Sequence, residues 1–450
     1  MVTTLTGEQL EEVKQQAAEH FWPHARQAGN VSEDTGLKVV TDAQGVWVND
    51  AAGEPWFDLI SGMFLKNIGH GRKEIADAVY EQMQGISYSP GGTVTPATAQ
   101  LAARIAGLAP DKDSRIYFVS GGSEAVETAL KMAKQYHNNN GEAGRWKVLS
   151  RKGSYHGATH ACMSLGQSGG AVAQIGPLMP GNIHVPQCDT YRGDCALESA
   201  KEIERAIEHE GPETVAAFIG EPISVAAGVH VPHPDYWPAI REICDKHGVI
   251  LICDEVITGF GRTGKMFATE HWGIQPDITT VAKALTSGYL PIGAAIARKE
   301  IADAFIGEEE STFRHLITFG GNPASCAAGL ANLDIMEGEG MVENSAEMGD
   351  YLYERLQTLY EHSIVGHVRG GMGLLAAVEI VKDRDTKEKF PKEAGLSDKL
   401  THHFNQNRIL GRGQDVIPIS PPLCITRDEV DDLVSRLDDA IGKTESELGV

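Results

Sequence analysis

"PDITTVAKALTSGYLPIGAA", residues 276–295, sets one lysine, Lys283, among Ile278, Val281, Ala282, Ala284 and Leu285. Such a lysine is either a snorkelling surface residue or a buried amine. Burial disfavours the ammonium form and frees the amine for carbonyl chemistry, so the surroundings of Lys283 decide both fold and chemistry. Around it, short apolar runs alternate with amphipathic helical patterns. "RIYFVS" (115–120) precedes "SEAVETALKMAKQY" (123–136), and "VAAFIGEP" (215–222) precedes "DYWPAIREICDKHG" (235–248). "VILICDEV" (249–256), "ITTVAK" (278–283) and "PIGAAIA" (291–297) follow. Unbroken apolar strands alternating with helices predict an α/β fold with a mostly parallel sheet covered on both faces.

Ligands of such sheets bind beyond the carboxyl ends of the strands. That rule gathers "SGGSE" (120–124), Glu221, Asp254 and Lys283 at one edge. Gly121 and Gly122 make a tight turn and Ser123 opens a helix, so backbone N–H groups and a hydroxyl can meet an anion there. A plain strand-to-helix loop with a serine cap carries the same residues. Asp254 directly follows five apolar residues, where a carboxylate is costly unless it meets a cation such as a protonated ring nitrogen or Mg²⁺. Taken together, a phosphate cradle, a buried carboxylate and a buried amine match pyridoxal 5′-phosphate part by part. The cradle takes the phosphate, Asp254 keeps the pyridine nitrogen protonated and Lys283 holds the aldehyde.

Outside this core the texture changes. Thr6 and Gln9 fit a capping box opening a helix towards Ala25, and "GVWV" and "WFDLI" flank "NDAAGEP" like a hairpin. "RKEIADAVYEQMQ" sets Ile75, Val79 and Met83 on one helical face. A long helix over about 341–361, the strand "GLLAAVEIV" and a last helix capped by Thr426 and Glu429 complete the chain. Residues 61–325 are expected to form the large cofactor-binding domain. Residues 1–60 and 326–450 are expected to form a smaller α+β domain built from both termini.

The chain has 450 residues and a net charge of −23, which opposes nucleic-acid binding and anionic membranes. The first residues show no basic segment followed by an apolar one, and no apolar run is long enough to span a membrane. Seven cysteines without a C-x-x-C pair read as free thiols in a reducing compartment, so the cytoplasm is expected. His156 and His160 have the i, i+4 spacing of a helical zinc pair, but Gly157 weakens a helix and no third ligand is evident, so no catalytic metal is expected. "GFGRTGKM", from Gly259, approaches a nucleotide P-loop with Lys265 on the phosphates. Met266, where Ser or Thr would hold Mg²⁺, argues against it.

"SGGSEAVETALK", "SYHG", "GEPI", "LICDEVITGFGRTG", "DITTVAKALTSGYLPIGA", "TFGGNPASCAAG" and "SPPLCIT" occur in order along the chain. In these motifs it resembles the class III aminotransferases, the ω-amino-acid and amine transaminases of fold-type I. The resemblance implies that Lys283 anchors the cofactor and shuttles the proton, and that Asp254 pairs with the ring nitrogen. It implies Val256 and Tyr155 on the two ring faces, Gly121, Gly122 and Ser123 at the phosphate, and Glu221 near the phenolic side. It places Thr318 on the neighbouring subunit's phosphate, so the active unit is a homodimer, with a tetramer as the further option. The departures are "SGGSE" for "NSGSE", Phe64 where many amine-active members carry tryptophan, and Ser224 where glutamine is common. They bear on the pocket lining.

The expected reaction moves an amino group from an ω-amino acid or primary amine to a keto acid, pyruvate first, by a ping-pong course. An aminomutase, racemase, decarboxylase or phospho-lyase would use the same cofactor parts. One pocket must accept an apolar donor and a carboxylate-bearing acceptor. A mobile arginine solves this, binding a carboxylate with its guanidinium fork and swinging away otherwise. Arg412, between Gly411 and Gly413, is the candidate, and Arg408 the reserve.

Overall fold

The computed structural model describes residues 5–25, 37–166, 171–193 and 197–450, and the chain divides into two compact units. One is Lys73–Gly349; the other joins Met1–Arg72 to Asp350–Val450. These boundaries lie beyond the expected 60 and 325. The helix Pro323–Gly338 buries residues on most of its surface and packs against the helices Lys73–Gly85 and Pro96–Leu108, which holds it in the larger unit.

The larger unit is built on a seven-stranded sheet. Its order is Arg115–Val119, Gly293–Ala297, Ile278–Val281, Ile250–Asp254, Val215–Gly220, Lys147–Arg151 and Asn182–Val185. Six strands run parallel, and Gly293–Ala297 is antiparallel to both its neighbours. The central strands Val215–Gly220 and Ile250–Asp254 are buried along their whole length, which is why their sequences are unbroken apolar runs. Alternate residues face opposite sides. Ala217, Ile219, Ile250 and Ile252 pack with Val126, Ala129 and Ala133 of the helix Gly122–Asn139. Phe218, Leu251 and Cys253 pack with Trp237, Ile240 and Ile243 of Tyr236–His247 and with Ile203 and Ile207 of Leu197–Glu210. In the helix Lys73–Gly85 only Ile75 is buried; Met83 is 57% exposed, so the expected apolar face is not covered within the described residues.

The smaller unit holds two sheets. Val40–Gln44, Trp47–Asp50 and Pro55–Asp58 form an antiparallel meander, and Ile409–Leu410 joins its edge in parallel. Asp50 Oδ1 accepts the N–H groups of Ala52 (2.9 Å) and Glu54 (3.0 Å) and so fixes the hairpin turn. Val365–Arg369, Ala376–Ile380 and Val416–Ile419 form an antiparallel three-stranded sheet. Both expected capping boxes form. Thr6 and Gln9 open Gly7–His20, which ends at Phe21 short of Ala25; Thr426 and Glu429 open Arg427–Leu448. The last helix buries Val430, Leu433, Leu437 and Ile441. Six cysteines are free thiols, and Cys195 lies outside the described residues. Among the described residues no helix is long and apolar enough to cross a membrane.

Candidate active site

Parallel strands bring their carboxyl ends to one edge of the sheet, and the register shows how closely. Thr280 stands opposite Asp254, and Gly220, which precedes Glu221, stands opposite Cys253. The reversed strand enters at the same edge, with Gly293 opposite Val119. Beyond this edge lies a cavity of about 170 Å³, lined by Gly122, Ser123, Tyr155, Glu221, Asp254, Val256 and Lys283 together with His156, Gly157, Ile223 and Val225.

Asp254 sits at its base and is 4% exposed. A buried carboxylate needs donors, and it has three. His156 Nδ1 lies 2.7 Å from Oδ2, while Thr280 Oγ1 and the Val256 N–H each donate to Oδ1 at 3.1 Å. The next residue, Glu255, points away. It is fully buried, and burial pushes its carboxyl above the usual range against the hydrogen bonds it accepts. Those come from Thr258 Oγ1 (2.6 Å) and from the N–H groups of Ala268 (3.0 Å) and Thr269 (2.9 Å). Two adjacent acids thus divide their work: one faces the cavity and the other ties down the loop that follows.

Lys283 follows the strand Ile278–Val281 in a single helical turn, Lys283–Leu285. Its neighbours Ala282, Ala284 and Leu285 are buried, but Lys283 itself is half-buried and opens onto the cavity, less enclosed than the apolar sequence predicts. The turn is held from behind. Asn332 Nδ2 donates to the carbonyls of Ala284 (3.0 Å) and Leu285 (3.2 Å), and Ser287 Oγ donates to Asn332 Oδ1 (2.7 Å).

At the other end, the helix Gly122–Asn139 starts at the cavity with Gly121 as its cap residue. Gly121 is extended (φ −179°) and does not line the cavity. The first N–H groups of a helix have no partner within it, and its dipole favours an anion there. Two glycines make the approach possible. A Cβ on Gly122 would stand 3.0 Å from Val256 Cγ1. One on Gly157, whose φ is +132°, would stand 2.5 Å from Ser123 Oγ and 2.9 Å from Ser123 Cα. Ser123 Oγ accepts the Ala158 N–H at 3.0 Å, which leaves its proton available.

Tyr155 presents a ring 45% exposed at the cavity, and its N–H donates to Glu221 Oε1 at 3.4 Å. Glu221 is gripped from beneath. The fully buried Arg151 donates to its carbonyl and, at 3.4 Å, to its carboxylate, while Ser224 Oγ donates to Oε2 at 3.1 Å. Arg151 in turn lies against the Trp237 ring, 5.6 Å from its centroid.

Several predicted residues lie elsewhere. Thr318 is exposed, between exposed Leu316 and Phe319, and does not line this cavity; its carbonyl accepts from Tyr88 Oη at 3.0 Å. In the smaller unit, Phe64 and Arg412 meet: the guanidinium lies 5.6 Å from the ring centroid, and Nη2 contacts Met63 Sδ at 2.8 Å. Phe64 is buried with φ +61°, a strained conformation for a bulky residue. The reserve, Arg408, is committed to an ion pair with Glu54. His160 Nε2 faces the Pro177 carbonyl (3.1 Å) while His156 faces Asp254, so the two imidazoles do not converge. In the P-loop-like stretch, the N–H groups of Phe260 and Gly261 turn inward to the Met266 carbonyl (2.6 and 3.4 Å). No anion nest forms from them. Sequence reasoning missed the parts played by His156, Arg151 and Thr280; the one available signal was that His156 follows the strand Lys147–Arg151 to the edge where Asp254 lies.

Helix N–H groups and a hydroxyl at one end, a buried carboxylate at the base and a half-exposed amine fit a molecule with an anionic group, a protonated ring nitrogen and an aldehyde. Pyridoxal 5′-phosphate has these three. Comparison with known proteins agrees. The profile of the family Aminotransferase class-III matches residues 28–441. The putrescine–pyruvate aminotransferase of Pseudomonas aeruginosa is 35% identical over 97% of both chains. A thermostable (S)-enantioselective ω-transaminase from Thermomicrobium roseum superposes with a TM-score of 0.92 at 40% identity, covering 98% of this chain and 100% of that one. An amine transaminase from an uncultivated Pseudomonas species, solved with pyridoxal phosphate bound, gives 0.90 at 36% identity over 94% and 98% of the two chains. The chain belongs to the class III aminotransferases and is a fold-type I enzyme dependent on pyridoxal 5′-phosphate.

Proposed function

We propose that this aminotransferase takes an amino group from an ω-amino acid or primary amine and passes it to pyruvate in two half-reactions sharing one cavity. The observation that carries the reading is the cavity itself, where Lys283, Asp254 and the Gly122 helix start converge. The donor and acceptor classes rest on the relatives, among them the putrescine–pyruvate and taurine–pyruvate enzymes and the amine transaminases. When bound, the cofactor supplies an aldehyde for amines to condense with and a ring that takes up electrons as a carbon-bound proton leaves. The chain supplies the rest. Lys283 Nζ holds the aldehyde carbon between turnovers and, once displaced, takes the proton from the amine-bearing carbon. Asp254 keeps a proton on the ring nitrogen. Gly122 and Ser123 take the phosphate, with Gly121 as the cap residue behind them, Val256 and Tyr155 cover the ring faces, and Glu221 stands at the phenolic side. Arg412 binds the acceptor's carboxylate, and Phe64 supplies an apolar wall.

The enzyme works as a homodimer in which Thr318 completes the phosphate site of the partner's cofactor. Its exposure outside its own subunit's cavity, beside exposed Leu316 and Phe319, supports this. The free thiols suit a reducing compartment, so we assign it to the cytoplasm. A panel of donors and acceptors tests the reaction. Amine donors should discharge the visible absorbance of the loaded enzyme, and pyruvate should restore it. Discharge that no keto acid reverses would rule out transamination.

A further inference from the structure

We propose that Gln187 is a positioning residue for Glu221: acting through Ser224, its amide orients the carboxylate that stands at the phenolic side of the cofactor. This rests on the role proposed above for Glu221. Gln187 follows the strand Asn182–Val185 and is half-buried. Its Nε2 lies 2.9 Å from Ser224 Oγ, which in turn lies 3.1 Å from Glu221 Oε2. Ser224 is fully buried, and its backbone is pinned to His230: its N–H donates to the His230 carbonyl (3.1 Å) and its carbonyl accepts the His230 N–H (3.0 Å).

The direction of this chain is set at its far end. A backbone N–H can only donate, so the Cys188 N–H, at 3.1 Å, fixes which side of the amide is Oε1. Nε2 then carries two donors. One goes to Ser224 Oγ and the other to the Lys152 carbonyl at 3.3 Å, with Ser154 Oγ beside it at 3.5 Å. A hydroxyl has one proton, so with Gln187 donating to it, Ser224 turns that proton onto Glu221. The other contacts to this carboxylate are longer: the Tyr155 N–H on Oε1 and Arg151 on Oε2, both at 3.4 Å. The serine contact therefore sets the rotation of the carboxylate. Ser224, standing where glutamine is common, has no amide of its own; Gln187 brings one from two strands away. Lys152 and Ser154 belong to the loop that carries Tyr155, so the same amide ties that loop to Glu221.

The charged and titratable groups around Glu221 are Arg151, with the Cys188 thiol 3.1 Å from its Nη1, and Tyr155, His156, Asp254 and Lys283 lining the cavity. The test leaves all of these in place. It uses full-length enzyme with Glu221→Gln, Gln187→Met, Ser224→Ala, and Gln187→Met combined with each of the other two. The readouts are the midpoint pH at which the visible band of the loaded enzyme changes and the thermal midpoint of the cofactor-free protein. The band changes as the bound cofactor gives up a proton, and a carboxylate beside it holds that proton on. Glu221→Gln should lower the midpoint pH by about one unit. Gln187→Met, which keeps the length and loses the donor, and Ser224→Ala should each lower it by a smaller amount. Together they should do no more than Ser224→Ala alone, and Gln187→Met should add nothing in the Glu221→Gln background, because its effect passes through both groups. An unchanged midpoint pH in Gln187→Met, whatever its thermal stability, overturns the proposal while leaving the Glu221 role intact. So do additive shifts with Ser224→Ala, or a Gln187 shift that persists without the carboxylate. A Glu221→Gln enzyme with an unchanged midpoint pH overturns the Glu221 role itself, and this proposal with it.

Discussion

Replacing Gly157 by alanine adds one methyl group, and the structure sets what that group meets. The new Cβ would lie 2.5 Å from Ser123 Oγ and 2.9 Å from Ser123 Cα. Rotating the serine relieves the first collision but not the second, so the backbone at the helix start must shift. The φ of +132° adds strain of about 1–3 kcal/mol for a residue with a Cβ. Strain alone lowers stability equally with and without cofactor. Displacement of the cradle additionally weakens contacts to the phosphate, where one charge-assisted hydrogen bond is worth about 1.5–3 kcal/mol, or about tenfold to a hundredfold in affinity. Gly153→Ala separates the two effects. Its φ is +78°, yet its nearest neighbour, Ala227 Cβ, lies 3.9 Å from the added carbon. Thermal unfolding of the cofactor-free proteins should show both variants destabilised. Titration with pyridoxal phosphate should show weakened affinity for Gly157→Ala alone. Undiminished affinity in Gly157→Ala, or an equal loss in Gly153→Ala, would refute the cradle geometry.

Lys283→Ala should still take up the cofactor non-covalently through the cradle but fail to complete a half-reaction; near-wild-type turnover would remove Lys283 from its role. Arg412→Ala should raise the KM for pyruvate about tenfold or more while leaving the half-reaction of an amine without a carboxylate nearly unchanged. Equal damage to both would move the carboxylate switch elsewhere. Thr318→Ala should weaken cofactor binding, and mixed dimers with Lys283→Ala subunits should regain one intact site per dimer. If Thr318 served its own subunit, no mixed dimer would recover activity. Burial pushes the Glu445 carboxyl up, but hydrogen bonds from Ser363 and His362 outweigh it and hold its pKa below the ordinary 4.5. The stability it contributes is therefore complete above pH 4.5 and lost as pH falls through the lower folded-state value. Glu445→Gln should lower the thermal midpoint at neutral pH, with the gap to wild type narrowing as the pH falls below 4.5.

The strands that carry Asp254 and Lys283 are legible in the sequence because a charged group ending an apolar run is costly to bury unless something at the strand end meets it. Periodicity cannot show that Gly293–Ala297 runs backwards, since a buried strand reads alike in both directions. His156 is visible, but its spacing to His160 suggests a metal pair, whereas its actual partner lies 98 residues away. Arg408 likewise looks open until Glu54, 354 residues distant, closes on it. Met83 fits the helical face of Ile75 and is nonetheless 57% exposed, because spacing defines a face and not what covers it. The unit boundaries shift because helix packing, not composition, assigns Pro323–Gly338. Local pattern thus reveals the groups that end strands, and loses those whose meaning depends on distant chain.

The reversed strand also governs how the protein loosens. The segment after Lys283 returns at once into the sheet through Gly293, instead of crossing a face by way of a helix. At Gly293 the backbone runs so close to Gly121 that an added Cβ would stand 2.7 Å from the Gly121 carbonyl oxygen. The lysine turn and the start of the cradle helix are therefore stitched into neighbouring rungs of one ladder. Local opening releases such neighbours as a unit. Amide hydrogens of 278–285 and of 116–123 should exchange with a common opening free energy, so the two halves of the site are kept or lost together.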